Sequence, residues 1–118
     1  MNHIAIGDNG EQSAARYLSD RGYKIIATKY RARTGEIDII AQDKDCLVFV
    51  EVKTRRSVAC GFPAEAVTVR KQQKIVNTAL CFLKQRGLND AACRFDILEV
   101  YITKDAVRCN HIKNAFGS

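Results

Sequence analysis

The sequence predicts an α/β fold in which a mixed β-sheet is flanked by helices, in the order α-β-β-β-α-β with material for one more strand. Three observations predict it. Two segments with helical apolar spacing, near 8–21 and 69–86, enclose three segments of strand character. Two of those strands are separated only by the polar triplet Asp43-Lys44-Asp45, which predicts an antiparallel hairpin. A further strand-like run follows the second helix, and this mixed order with one central hairpin argues for α/β layers around a mixed sheet. The chain has 118 residues, 47% of them hydrophobic and 27% charged, which predicts a single domain over 1–118 with a core of ordinary size.

The first helix is expected from Asp8, a good N-cap, with Glu11 three positions on as in a capping box. Ala14, Ala15 and Leu18 form its apolar stripe, and Gly22 stops it. GYKIIATKYR is a β-type run that ends in a turn at Arg33-Thr34-Gly35. EIDIIAQ (36–42) and CLVFVEVKT (46–54) are the hairpin strands, the second being the strongest strand signal in the chain. A loop with Gly61 and Pro63, the only proline, leads to Thr68, which caps the second helix. Val69, Val76, Ala79, Leu80 and Leu83 set its stripe, Ile75 and Phe82 widen it, and Gly87 ends it. CRFDILEVYI (93–102) is a strand, and 105–112 supply the last one, with Phe116 docking the tail.

Composition excludes several classes of function. No run approaches the ~18 apolar residues of a membrane span, and MNHIAIGDNGEQ lacks the basic and apolar regions of a signal peptide. The five cysteines (46, 60, 81, 93 and 109) form no C-x-x-C pair, so they are expected as free thiols, small core hydrophobes of a cytoplasmic protein rather than zinc ligands. A net charge of +6 is carried in clusters: Arg21 to Arg33, Lys53 to Arg56, and Arg70 to Lys74. Such a surface suits nucleic acid, and equally a solvated face.

Strand periodicity locates the chemistry. In 46–54 the even positions Val48, Val50 and Val52 are apolar, while the odd positions run Leu47, Phe49, Glu51, Lys53. In the preceding strand Ile37 and Ile39 share one face, and Glu36, Asp38 and Ile40 the other. A tight hairpin brings Asp38 close to Glu51 or Lys53. Two carboxylates and a lysine suit metal-assisted phosphodiester hydrolysis: Asp38 and Glu51 as hard oxygen ligands to Mg²⁺, Lys53 to orient or activate water, Arg55 and Arg56 on phosphates. The same charge pattern also fits a cross-strand ion pair worth roughly 0.2–1 kcal/mol.

Asp38 with Glu51-Val52-Lys53 resembles the PD-(D/E)XK nuclease signature, with Ile37 in place of the proline. Gly10-Glu11, GEIDII (35–40), LVFVEVKTR (47–55), Gly61-x-Pro63, RFDIL (94–98) and HIKNAF (111–116) together resemble the YraN family, small bacterial proteins whose fold is similar to archaeal Holliday-junction resolvases. The resemblance runs from Gly7 to Phe116. It implies a restriction-endonuclease-like fold and an endonuclease using Mg²⁺ or Mn²⁺ on DNA, branched structures included. It makes Asp38 and Glu51 the metal ligands and Lys53 the catalytic lysine. It also places Glu11 in the site, where the capping-box role competes. Resolvase-like nucleases often act as dimers, since a two-fold junction needs two sites, so a homodimer is compatible.

Arg70, Lys71 and Lys74 open the second helix as either phosphate contacts or a solvated face. Tyr30, Arg31 and Arg33 are candidate DNA contacts, with Tyr30 alternatively packing in the fold. Arg94 and Asp96 are expected to pair structurally, and His3 and His111 to lie outside the chemistry, without partners for it. A non-catalytic nucleic-acid-binding module and a protein-interaction factor on the same scaffold are the competing functional readings.

Overall fold

The computed structural model describes residues 6–56 and 67–117, and the side chains of 10–55 and 67–117. The Gly61-x-Pro63 loop, His3, Cys60 and the side chain of Arg56 lie outside them. The described elements are α1 (Ile6–Asp20), β1 (Lys24–Ala32), β2 (Gly35–Asp43), β3 (Cys46–Arg56), α2 (Val69–Gln85), β4 (Ala92–Ile102) and β5 (Val107–Phe116). The five strands form one sheet in chain order, antiparallel at β1–β2, β2–β3 and β4–β5 and parallel at β3–β4, where α2 supplies the crossover. The expected mixed α/β architecture is the one observed.

One helix packs on each face of the sheet, giving three layers. Ala14 and Leu18 of α1 pack on Ile39, Ala41, Val48, Val50, Leu98 and Val100. Ile75, Ala79, Phe82 and Leu83 of α2 pack on the other face, against Ile37, Ile40, Leu47, Phe49 and Phe95. Phe49, Phe95 and Phe116 form a stacked series at 5.4 Å between centroids, so Phe116 does anchor the chain end. It does so from within β5, which runs to Phe116 rather than stopping at 112.

Several local expectations change. α1 begins at Ile6, so Asp8 lies inside the helix and cannot cap it. The core stripe of α2 is Ile75, Ala79, Phe82 and Leu83, while Val69 and Leu80 face water at 80% and 58% exposure. Counting 3.6 residues per turn from Ile75 reaches 79, 82 and 83 and leaves 69 and 80 on the far side. None of the four described cysteines is fully buried: Cys109 packs at the edge of the α1-side core, Cys46 and Cys81 are half-buried, and Cys93 is exposed. The Thr68 cap is as expected: its hydroxyl accepts from the Lys71 amide at 3.1 Å. Gly22 and Gly87 sit just past the two helices at φ 91° and 66°, a region that glycine enters without the Cβ penalty.

Gly10 is needed for a different reason. A methyl group there would overlap the Oγ1 of Thr54 on β3, so only a glycine lets α1 lie this close to the sheet. Alanine would return up to ~1 kcal/mol of helix propensity, against ~1–3 kcal/mol of overpacking. Gly10→Ala is therefore expected to lower stability by about 1–2 kcal/mol in urea denaturation, and to move Glu11 with the displaced turn.

Candidate active site

β2 and β3 are laddered from Asp43↔Cys46 to Ile39↔Val50, and there the pairing ends. At the next residue the Asp38 side chain takes over: its Oδ2 accepts the Val52 amide at 2.8 Å. The strands therefore separate around Asp38, and strict alternation slips. Ile37 joins the α2-side core and Ile39 the α1-side core, rather than sharing a face as the sequence suggested.

Into this gap the fold directs acidic groups from three elements. Asp38 comes from β2 and Glu51 from β3. Glu11 of α1, held close to β3 by Gly10, lies near enough to act on Asp38, and so does Glu36. Burial, then the Glu51 charge, push the Asp38 carboxyl up to about 7, with smaller contributions from Glu11 and Glu36. The Val52 amide works the other way and does not win.

Cations close the cluster. Glu51 has a side chain only 7% exposed, and its Oε2 is 3.2 Å from Lys71 Nζ and 3.9 Å from Lys53 Nζ. Lys71 reaches it because Thr68 starts α2 one turn earlier. Lys29 Nζ is 3.9 Å from Glu11. Lys29 stands in the ladder between Thr28↔Ile39 and Tyr30↔Ile37, opposite Asp38, with a φ of 51°. A non-glycine residue held there is a strained position of the kind that accompanies sites. A cleft of about 260 Å³ opens over the group, lined by Gly35, Glu36, Asp38, Glu51, Lys71, Lys74 and Ile75. A larger groove of about 630 Å³ between α1 and β5 is lined by Arg16, Tyr17, Asp20 and Arg21 among others and brings no two carboxylates together. Of the two, only the smaller brings carboxylates from different strands together.

Asp38, Glu51, Lys53, Glu11, Lys71 and Lys74 thus converge. The other candidates are spread out. Arg31 pairs with Glu36 at 3.3 Å on the surface, Arg33 is exposed in the β1–β2 turn, and Arg70 is exposed in the first turn of α2. Arg55 is half-buried on β3. The Tyr30 ring packs edge-on against Phe82, and its hydroxyl donates to Gln85 Oε1 at 2.7 Å, a packing role between β1 and α2.

Two features were missed. Glu99, 5% exposed, pairs in register with Lys53 and accepts from Tyr101 and Asn110 at 3.1 and 2.8 Å. The signal was present, since Phe95, Ile97, Glu99 and Tyr101 repeat on β4 the change from apolar to polar seen on β3. His111 is not partnerless either: its Nε2 is 2.7 Å from Asp96 Oδ2. Asp96 also accepts from Arg94 Nε at 3.0 Å, as expected of that pair, and from the Asn114 amide at 2.9 Å. Arg94 continues to Asp43 and to the Tyr23 hydroxyl.

Among the described residues no three His, Cys, Asp or Glu side chains form a ready-made metal cage. The pair Asp38 and Glu51 nevertheless fits a hard divalent ion, which takes one or two carboxylates and keeps several waters. The raised Asp38 carboxyl reflects burial first and then the neighbouring Glu51 charge. Its sign predicts a pH effect. The folded state holds the Asp38 proton up to about pH 7, whereas the unfolded chain releases it near 3.8, so this group costs stability as pH rises between those values. Asp38→Asn is expected to flatten that fall in a urea-denaturation series from pH 4 to 8. A slope unchanged from the parent would refute the assignment.

A family model described as Uncharacterised protein family UPF0102 matches residues 10–100. Among similar proteins, the UPF0102 protein STH1475 of Symbiobacterium thermophilum is 50% identical over 94% of this chain and 95% of its own. The UPF0102 protein CD630_12710 of Clostridioides difficile is 44% identical over 98% and 100%. Among solved structures, the crystal structure of SSO0001 aligns with a TM-score of 0.38 at 18% identity, covering 94% of this chain and 52% of that one.

Proposed function

The chain belongs to the uncharacterised protein family UPF0102, and from the geometry of its carboxylate cleft we propose that it is a metal-dependent endonuclease hydrolysing phosphodiester bonds of DNA, branched structures included. The observation that carries this reading is the gap between β2 and β3, where Asp38 and Glu51 meet under Lys53 and Lys71. Asp38 and Glu51 hold Mg²⁺ or Mn²⁺, with Glu11 positioned to support them from α1. The ion, when bound, supplies a water of lowered pKa and offsets phosphate charge.

The chain's own residues do the rest. Lys53, 23% exposed beside Glu51, orients the attacking water and stabilises developing charge on the phosphate. Lys74, with Arg70 and Lys71 at the start of α2, meets the phosphate that enters the cleft. Arg31, Arg33, Arg55 and Arg56 supply backbone contacts that add salt-dependent affinity. Four free described thiols fit a reducing cytoplasm, and no described helix is long and apolar enough to cross a membrane.

The test is cleavage of a labelled four-way junction and a matched linear duplex with Mg²⁺, Mn²⁺ or EDTA. Cutting that requires the metal is the expected result, and the junction-to-duplex ratio reports selectivity. Salt-sensitive binding with no product in any metal would replace the nuclease by a binding module. Absence of binding as well would leave a protein-interaction role.

A further inference from the structure

The α2-side face of the sheet does not end at the carboxylate cleft. Strand register carries it onward in rows from β3 to β5. One row is Lys53, Glu99, Asn110, and the next is Arg55, Tyr101, Arg108. The hydrogen bonds of Glu99 to Tyr101 and Asn110 confirm that these side chains share a face. Arg55 is close enough to Tyr101 to act on its phenol. Asn110 and Arg108 are exposed on the outer strand, and Ile112 beside them is 39% exposed.

Charge and shape are both specific here. The one carboxylate of the two rows, Glu99, is 5% exposed and bonded, while Arg108 is exposed on β5. Glu99 also fixes the Tyr101 ring by holding its hydroxyl two residues back along β4, at 3.1 Å. A half-buried aromatic ring held along the sheet, with an arginine on the adjoining strand at either side, matches one nucleotide unit: a base on the ring and phosphates on the cations. Bases stacked inside a duplex cannot reach such a ring, whereas unpaired ones can.

We infer that the Arg55–Tyr101–Arg108 row, with Asn110, is a binding face for an unpaired nucleotide strand running from the cleft toward β5. The inference deepens the nuclease reading by naming a substrate feature, a single-stranded arm beside the scissile phosphate. Its binding part does not depend on catalysis.

The experiment is fluorescence anisotropy in EDTA with a labelled 12-nucleotide single strand and a blunt duplex, over a salt series, accompanied by the cleavage assay. Tyr101→Leu is expected to weaken single-strand binding about tenfold while leaving the duplex within twofold, as loss of one stacked base should. Tyr101→Phe keeps the ring and is expected to stay within threefold of the parent. Arg108→Ala, an exposed change that leaves packing alone, is expected to reduce the single-strand salt slope by about 0.7. Tyr101→Leu and Arg108→Ala proteins that bind the single strand like the parent would overturn the inference, even if the parent cleaves. Equal losses on strand and duplex in Tyr101→Leu would overturn it too. A parent that binds neither probe at low salt would overturn both this and the nuclease reading.

Discussion

Replacing Glu51 by alanine or glutamine is expected to abolish metal-dependent cleavage, by roughly 10³-fold or more, the scale lost when a preorganised charge-stabilising group is removed. The protein should stay folded. Glu51 is the second largest cause of the raised Asp38 carboxyl, after burial, so removing it lets Asp38 ionise more readily. The lysines it leaves behind, Lys71 at 47% exposure and Lys53 at 23%, can turn to water. Loss of activity at unchanged or higher stability is therefore the signature. Titration calorimetry with Mn²⁺ should show the same loss directly. A Glu51→Gln protein that binds Mn²⁺ and cuts like the parent would exclude the cleft as the active site.

The second large effect concerns stability alone. Asp96 is fully buried and accepts hydrogen bonds from Arg94 and the Asn114 amide, with His111 as a third partner. Deleting one member of a buried charged network strands the others, at about 3–5 kcal/mol. Asp96→Ala is expected to lose that much in urea denaturation and to lie near the limit of folding for a domain of this size. The pH dependence is opposite to that of Asp38. Burial opposes ionisation of Asp96, but its hydrogen bonds to His111, Arg94 and Asn114 prevail and hold its carboxyl below the usual range. Its contribution is therefore present above the ordinary carboxylate range and is lost as pH falls through the folded value. Asp96→Asn should remove that acid-side loss and leave the Asp38 slope between pH 4 and 7 in place.

What could be read from the sequence was local. Thr68, Gly22 and Gly87 act through residues within a turn of themselves, and each does what was expected. The proximity of Asp38 and Glu51 follows from a short polar turn and the period of a strand, so it too was legible, although Asp43 belongs to the ladder and leaves only Lys44 and Asp45 in the turn. The slip at Asp38 was not, because it depends on a side chain replacing a backbone group in the ladder. Glu11 looked like a capping residue because the true helix start lies before Asp8. The partners of His111 and Glu99 come through the β4–β5 pairing, which no local pattern reveals. The exposed Val69 and Leu80 show the limit of apolar spacing as a guide: seven apolar positions fit two overlapping stripes, and only the sheet chooses between them.

The one parallel pairing, β3 with β4, divides the molecule in a way that bears on how it opens. Asp38, Glu51 and Lys53 all belong to the antiparallel meander β1–β3, where contacts join near neighbours in the chain. The network about Asp96 ties Tyr23 and Asp43 to Asn114 and so closes only when β4 and β5 have docked, at a larger loop entropy. The strand-borne reactive groups thus sit in a unit of short closures, while Lys71 and the Asp96 network join through longer ones. Amide exchange should report this as two protection levels, with β4–β5 released before the meander that carries the carboxylates.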